Sequence, residues 1–300
     1  MARPIVTALG LIGLLSSHAH AGPIRDRIRA NIAKKTSATP APGASLQIYG
    51  SDPAQTLDLW RAKGASAPTS LIIFVHGGGW KRGSKENATG AAKVEHLTGL
   101  GYAVASINYR LVPEATVEQQ AADVVSSVAY LRRNAARLGI DPIRIILMGH
   151  SAGAHLVALV GTDPRYLKDA GLSEADLRGV ILLDGACYDV PRQIAEGGNF
   201  MRDSYVQAFG GDVARQRALS PTFHAANPNA PSFLILHVDR EDGKAQSEAL
   251  GAALSAAGTA VELKGFEGKG LRGHMAINRS LGDADYPATA TVDAWLKRML

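Results

Sequence analysis

The stretch RIILMGHSAGAHLVAL, residues 144–159, decides the fold of this chain. It predicts a buried strand over 144–148, a tight turn over 149–153 and a helix that begins at Ala154. The turn matches G-x-S-x-G, in which glycines two residues before and after a serine permit a sharp corner between strand and helix. Such a corner exposes the serine hydroxyl at the edge of a sheet. The stretch therefore predicts that Ser151 is a nucleophile.

A glycine-rich segment precedes this corner by about seventy residues. Ser70–Val75 is a continuous apolar run, typical of a strand that is buried on both faces, and the sequence HGGGW follows it at residues 76–80. Consecutive glycines let the backbone approach a ligand closely and direct its N–H groups toward it. We expect the N–H groups of Gly78, Gly79 and Ala152 to form an oxyanion hole.

Other ligand-binding motifs are absent from the sequence. A P-loop needs a lysine after its last glycine, but Ser84 follows Gly83, and Arg82 stands where a dinucleotide-binding motif has its third glycine. The sequence contains no H-E-x-x-H and no paired cysteines, because Cys187 is the only cysteine and is expected to be a small buried side chain. We therefore predict neither a cofactor nor a metal site.

The positive charge of the chain lies at its N-terminus. Of the net charge of +5, all is accounted for by residues 1–35, which hold six lysines and arginines and one aspartate. The remaining residues are neutral as a group, whereas a nucleic-acid-binding domain carries its basic face on the fold itself. Nucleic acid is therefore not an expected partner.

The N-terminal residues have the pattern of an export signal. Arg3 precedes the apolar run Ile5–Leu15, and an A-x-A site follows at Ala19 and Ala21, which predicts a signal peptide over 1–21. The run is too short for a permanent membrane span. We expect the mature protein to be secreted or periplasmic, with a basic segment and linker over residues 22–45.

From residue 46 onward, strand and helix patterns alternate. Two short half-buried strands come first, and the apolar runs of later strands are separated by helical periodicity, which is strongest from Val117 to Leu138. About eight strands that alternate with helices predict an α/β domain with a mostly parallel sheet covered on both faces. We find no internal repeat and no second linker, so residues 46–300 are predicted to form one domain.

The two motifs together resemble those of the α/β-hydrolase superfamily. HGGGW after one strand and GHSAG after another are most similar to the hormone-sensitive-lipase-like and related small carboxylesterases, over roughly residues 46–300. His150 stands where the former group often has aspartate, and the continuation AHL at 154–156 is similar to neighbouring esterase and formamidase branches. The resemblance implies the α/β-hydrolase fold, with a short cap insertion that we expect over 185–229.

The resemblance also implies a catalytic triad in the order serine, acid, histidine. The acid is expected just past the next-to-last strand, where Asp239, Glu241 and Asp242 all qualify. Asp239 is preferred because it lies nearest the strand end. The base is expected on a glycine-rich loop after the last strand, which contains His274.

These residues imply a serine carboxylesterase that acts on small esters of short to medium chain length. In this mechanism His274 takes the proton of Ser151, and Asp239 holds the imidazole in the correct tautomer. An arylformamidase-type amidase or a peptidase of the same fold is an alternative, since the same serine corner and glycine loop serve all three. A non-catalytic binding module is a further alternative, although it would not need all of these residues together.

Overall fold

A computed structural model describes residues 41–196, 199–226 and 228–300 of the chain. The described residues belong to one compact unit, Ala38–Leu300. The predicted signal peptide and most of the predicted basic segment lie outside the described residues. Within the described part of the chain, no helix is long and apolar enough to cross a membrane.

One eight-stranded sheet forms the centre of the fold, with strand order β1-β2-β4-β3-β5-β6-β7-β8. The strand β2 is antiparallel to both of its neighbours, and all other pairs are parallel. The strands are β1 (Ser45–Ile48), β2 (Thr56–Trp60), β3 (Thr69–Val75), β4 (Ala103–Ile107), β5 (Ile140–His150), β6 (Gly179–Leu183), β7 (Ser232–Asp239) and β8 (Ala260–Lys269).

Helices connect the strands and cover both faces of the sheet. They are α1 (Lys85–Ala88), α2 (Ala91–Gly99), α3 (Val117–Arg133), α4 (Ala135–Leu138), α5 (Ala152–Thr162), α6 (Pro164–Asp169), α7 (Val190–Glu196), α8 (Asn199–Phe209), α9 (Val213–Ala218), α10 (Pro221–His224), α11 (Glu241–Ala256), α12 (Gly270–Arg279) and α13 (Pro287–Met299). Four of these, α7 to α10, lie between β6 and β7, in the segment predicted as a cap. A short 3₁₀ turn, Glu174–Asp176, precedes β6.

The burial of β3 explains its continuous apolar sequence. Leu71, Ile73 and Val75 contribute to the hydrophobic core on one side of the sheet. Ile72 and Phe74 contribute to the core on the other side. Because successive side chains of a strand point to opposite faces, a strand that is covered twice needs apolar residues at every position. The prediction of a mostly parallel sheet covered on both faces is confirmed.

The helix predicted from Val117 to Leu138 forms as two helices, α3 and α4, separated at Asn134, and the sequence of α3 fixes where it begins. The hydroxyl of Thr116 accepts a hydrogen bond from the N–H of Gln119, and the Gln119 side chain accepts one from the N–H of Thr116. This capping box satisfies two N–H groups that the first helical turn leaves free.

The structure differs from the prediction at the C-terminal end of the sheet. The strand β8 continues to Lys269, and α12 begins directly at Gly270, where the sequence predicted a glycine-rich loop. The glycines have a packing role at this point, because a Cβ atom on Gly273 would lie 2.4 Å from the carbonyl carbon of Gly268. Glycine therefore permits the close approach of the strand end and the helix, and it does not mark a loop.

Candidate active site

The turn between β5 and α5 holds Ser151 in a rare backbone conformation. Its φ of 56° and ψ of −119° are unfavourable for a residue with a side chain. The N–H of Ser151 donates to the carbonyl of Leu183 at the end of β6, 3.1 Å away, which fixes the corner to the neighbouring strand. Strained conformations of this kind persist where surrounding contacts enforce them, and they concentrate at functional sites.

Two glycines make the corner possible. A Cβ atom on Gly149 would lie 2.3 Å from the carbonyl oxygen of Gly153. A Cβ atom on Gly153 would lie 2.1 Å from the carbonyl oxygen of Val75, at the end of β3. Only glycine allows these backbone segments to lie so close together. The G-x-S-x-G pattern is therefore a packing requirement at this corner.

The glycine loop after β3 lies against the corner. A Cβ atom on Gly77 would be 2.9 Å from the Cβ atom of Ser151, so the loop backbone passes directly beside the serine. Gly78 has a φ of 125° and Gly79 a φ of 62°, both in the region that favours glycine. The structure thus brings the loop predicted to supply N–H groups next to Ser151 and to Ala152, the first residue of α5.

Buried hydrogen bonds hold this loop at both ends. The Tyr109 hydroxyl donates to the carbonyl of His76 over 2.9 Å, and the two rings stack with centroids 4.3 Å apart. The Gln120 side chain donates to the carbonyl of Trp80 over 2.8 Å. Burial lowers the pKa of His76 to about 4, so its ring is neutral and acts as part of the loop.

His274 lies in the first turns of α12, and its ring is held from two sides. Its Nδ1 donates to Oδ2 of Asp184 over 2.6 Å. Its backbone carbonyl accepts a hydrogen bond of 2.8 Å from Nε2 of His150, and the two rings are tilted at 35° with centroids 4.5 Å apart. His150 immediately precedes Ser151. The structure therefore brings His274 to the serine corner, although on a helix and not on the predicted loop.

The acid that contacts His274 is Asp184, and the prediction of Asp239 is not supported by the geometry. The Asp239 side chain is exposed at the end of β7. Glu241 and Asp242 lie at the start of α11, where Asp242 accepts hydrogen bonds from Arg240 and Gln193. The carboxyl end of β6 lies beside that of β7, so an acid after either strand can reach the same place.

The sequence carries a signal for Asp184. Asp184 directly follows the apolar run Gly179–Leu183, the strand after the serine corner. Its side chain is fully buried, and its φ of 43° is unusual for a residue other than glycine. A polar residue at the end of a buried strand, followed by a glycine, indicates a carboxylate that is held at the sheet edge.

The surroundings of Asp184 favour its ionised form. Burial would raise its pKa, but the hydrogen bond from His274, the charges of His274 and Arg240, and the N–H of Val238 lower it to about 2. The neighbouring His150 is uncharged, because burial lowers the pKa of its ring well below the ordinary value. The site therefore combines a fixed negative charge at Asp184 with a neutral ring at His150.

An aromatic cluster connects the glycine loop with the cap helices. The indole N–H of Trp80 donates to Nδ1 of His155 over 3.3 Å, and Nε2 of His155 donates to the carbonyl of Leu219 over 2.8 Å. Phe209 and Tyr205, both on α8, lie against the Trp80 ring with centroids 4.7 and 6.1 Å away. His155 is thus a buried structural residue.

Other candidate ligands form no separate site. Among the described residues, no group of three or more His, Cys, Asp or Glu side chains could hold a metal ion. Cys187 is buried, and burial raises the pKa of its thiol well above the ordinary value. It is therefore a small buried side chain, as expected, and not a thiolate nucleophile.

The family model BD-FAE matches residues 57–254, about two thirds of the chain. The matched residues run from β2 to α11 and include the glycine loop and the serine corner. The chain belongs to the BD-FAE family.

Curated relatives of this BD-FAE-family chain include named esterases. The chain is 33% identical over 208 residues to Esterase LipC of Mycobacterium tuberculosis, covering 65% of this chain and 50% of the relative. It is 28% identical over 205 residues to the probable isoprenylcysteine alpha-carbonyl methylesterase ICMEL1 of Arabidopsis thaliana, covering 63% of this chain and 42% of the relative. The chain thus spans about half the length of the curated relatives it matches.

Solved structures confirm the fold of the BD-FAE-family chain. Esterase B from Lactobacillus rhamnosis has a TM-score of 0.71 at 23% identity, covering 92% of this chain and 90% of that one. Thermogutta terrifontis esterase 2 phosphonylated by sarin has a TM-score of 0.71 at 24% identity, covering 86% and 95%. At this level of identity the likeness shows the α/β-hydrolase fold.

The low pKa of Asp184 predicts a pH-dependent contribution to the stability of the BD-FAE-family chain. Because the folded-state pKa lies below that of the unfolded chain, the ionised carboxylate stabilises the fold above about pH 4, and this contribution is lost as the pH falls toward 2. The difference in the free energy of unfolding between wild type and Asp184→Asn should shrink by about 1 kcal/mol between pH 5 and pH 3. Urea denaturation at each pH measures it.

The control for this measurement is Asp239→Asn, which removes an exposed carboxylate from the neighbouring strand. It controls for the loss of one negative charge at this edge of the sheet. A pH-independent difference for Asp184→Asn would contradict the depressed pKa.

Proposed function

We propose that this chain is a serine carboxylesterase that hydrolyses short- to medium-chain carboxylic esters through an acyl-enzyme intermediate. One observation carries the proposal. Ser151 stands on a strained strand-to-helix corner, and the imidazole beside that corner, His274, is hydrogen-bonded to the buried carboxylate of Asp184. A nucleophile, a base and a group that orients the base are thus assembled at one place.

The proposed reaction begins with attack of Ser151 Oγ on the ester carbonyl. Nε2 of His274 accepts the serine proton as the new C–O bond forms, and it then passes this proton to the departing alkoxide as the ester bond breaks. Asp184 accepts the hydrogen bond from Nδ1, so the imidazole presents its unprotonated Nε2 to the serine. Water then attacks the acyl-enzyme with the same base, and the carboxylic acid leaves with Ser151 restored.

The oxyanion of the tetrahedral intermediate requires its own hydrogen-bond donors. We propose the backbone N–H groups of Gly78, Gly79 and Ala152 for this role, each contributing about 3 kcal/mol to transition-state stabilisation. The close approach of Gly77 to Ser151 supports the proposal, because Gly78 and Gly79 follow Gly77 directly in the chain. The N-terminal end of α5 adds positive dipole character at the same place.

The names of the relatives support ester hydrolysis. Besides an esterase and a methylesterase, they include the probable carboxylic ester hydrolase LipM of Mycobacterium tuberculosis. The Thermogutta terrifontis esterase 2 structures include adducts with several organophosphorus compounds, which are the kind of reagent that modifies an activated serine. The substrate is accordingly proposed to be a small molecule.

The packing of the cap favours a small acyl group. Trp80, Phe209 and His155 are almost fully buried and fill the space between the glycine loop, α5 and the cap. A long acyl chain would have to displace these packed rings. We therefore propose that acyl chains of two to about eight carbons are preferred, with the shortest turned over fastest.

The nucleophile is tested by hydrolysis of p-nitrophenyl acetate, butyrate and octanoate by wild type and Ser151→Ala. Because Ser151 forms the covalent bond, its removal should lower kcat by at least about 10⁴-fold. Ser247→Ala is the control: the Ser247 hydroxyl is buried without a hydrogen-bond partner among the described residues, and its loss should leave kcat within about threefold.

The other outcomes of this assay separate the remaining possibilities. Turnover of a formyl-anilide with no turnover of the esters would establish the amidase in place of the esterase. A wild type that is inert toward all of these substrates, or a Ser151→Ala variant as active as wild type, would overturn the proposed function. Either result would favour the non-catalytic binding module.

The acid is tested by comparing Asp184→Asn with Asp239→Asn. Asparagine at position 184 keeps the side-chain shape but favours the wrong imidazole tautomer, so kcat for p-nitrophenyl butyrate should fall by about 10⁴-fold. Asp239→Asn should stay within about threefold of wild type, because its carboxylate is exposed and does not contact His274. The opposite ranking would restore Asp239 as the triad acid.

We also propose that the protein is exported and that its mature chain begins at Gly22, on the basis of the A-x-A site at Ala19 and Ala21. Expression in a bacterial host and N-terminal sequencing of the protein outside the cytoplasm should give Gly22 first. Ala21→Asp, which places a charge at the cleavage site, should prevent processing. An unprocessed wild type that stays in the cytoplasm would contradict the proposal.

A further inference from the structure

Arg240 is a partly buried cation beside the carboxylate that contacts His274. Its Nε donates to Oδ2 of Asp184 over 3.1 Å, the same oxygen that accepts from His274. Its Nη2 donates to the carbonyl of Gly185 over 3.0 Å. Its Nη1 donates to Asp242 over 2.7 Å. The guanidinium group therefore bridges the end of β6 and the start of α11, with Asp184 as its main anionic partner.

Arg240 lies at the place in the fold where the sequence predicted the triad acid. Arg240 follows directly after β7, between Asp239 and Glu241. The N–H of Val238, two residues earlier, donates to Oδ1 of Asp184 over 3.2 Å. The end of β7 thus supplies two donors to a carboxylate from β6, instead of supplying the carboxylate itself.

Local packing leaves the guanidinium group little freedom. A Cβ atom on Gly243 would lie 2.5 Å from Nη2 of Arg240 and 3.0 Å from Oδ1 of Asp184, so α11 approaches both groups without a side chain between them. Only 17% of the Arg240 side chain is exposed. A planar cation with several fixed donors suits this role better than a flexible ammonium group.

We propose that Arg240 is a positioning residue that directs the Asp184 carboxylate at His274 and moderates the negative charge that the imidazole experiences. The first effect favours catalysis, because it holds Oδ2 in line with Nδ1 of His274. The second effect lessens the negative charge that Asp184 places beside the imidazole. The inference rests on the proposed function for its kinetic consequence only.

Other ionisable groups around the pair set the background for this charge effect. His150 on β5 contacts His274 and is neutral, since burial lowers its pKa. Asp242 on α11 shares the charge of Arg240. The remaining ionisable groups are Tyr188, Tyr286 and Lys93. Burial raises the pKa of both tyrosines and lowers the pKa of the lysine. At neutral pH, Arg240 is therefore the positive charge in direct contact with Asp184.

The deciding measurement is the titration of the His274 imidazole by NMR in wild type and in Arg240→Met, with the signal identified from His274→Asn. Methionine fills a similar volume without charge. The Asp184 charge would then be less compensated, so the midpoint of the imidazole titration should rise by about 0.5 to 1 pH unit. Since this readout needs no turnover, it remains valid even if the protein hydrolyses no ester.

The kinetic counterpart is kcat/KM for p-nitrophenyl butyrate as a function of pH. In Arg240→Met the acidic limb should move to higher pH by the same amount, and kcat should fall by about tenfold to hundredfold with KM nearly unchanged. Arg240→Lys keeps a charge without the bridging geometry, so its acidic limb should stay near that of wild type while kcat is intermediate.

Asp242→Asn is a matched variant that should move the imidazole titration in the opposite direction. It frees the charge of Arg240 from its second partner, so the imidazole midpoint should fall by about 0.3 pH unit. If Arg240→Met does not fold, Arg240→Lys and Asp242→Asn still test the inference. Unchanged midpoints in Arg240→Met and Asp242→Asn, or a lower kcat with an unmoved acidic limb in Arg240→Met, would show that Arg240 is only structural and would overturn the inference.

Discussion

The corner at Ser151 is the constraint on which the rest of the structure depends. Its positive φ is tolerated only because the backbone of Gly149 and Gly153 can pack without side chains. The same contact brings Gly153 against the carbonyl of Val75, which fixes the end of β3 and the glycine loop that follows it. A single steric requirement therefore sets the position of the serine and of the N–H groups proposed to assist it.

The electrostatics of the site follow from the order of the parallel strands. The strands β5, β6 and β7 are neighbours, and their carboxyl ends carry Ser151, Asp184 and Arg240 respectively. A buried carboxylate is costly unless it is hydrogen-bonded, and Asp184 accepts from three different elements, namely α12, the backbone of β7 and the side chain of Arg240. The charge is thus stabilised by the same contacts that fix its direction toward His274.

The cap is joined to this arrangement through buried side chains. The hydrogen bonds from Trp80 to His155 and from His155 to Leu219 connect the glycine loop, the helix after the serine and the cap in one chain of contacts. All three residues are buried, so these contacts form part of the packed interior that joins the glycine loop to the segment between β6 and β7.

The sequence by itself determined the local features of this protein. The apolar runs predicted the central strands, with Gly179–Leu183 reproduced residue for residue, and the spacing of glycines around Ser151 predicted the corner. These features depend on neighbouring residues, whose side-chain pattern and steric needs are visible in the sequence. The likeness to solved structures confirms the α/β-hydrolase fold that these patterns indicated.

Only the tertiary structure decided which acid meets the imidazole and what holds it. Asp184 and His274 are 90 residues apart, and the sequence offered several carboxylates after neighbouring strands. His274 also proved to lie on a helix, because the glycines before it serve close packing and not a loop. The carboxyl ends of adjacent parallel strands lie side by side, so a residue after one strand can occupy the place expected for a residue after the next. Local patterns cannot distinguish these positions, since the choice depends on side-chain direction across the sheet edge.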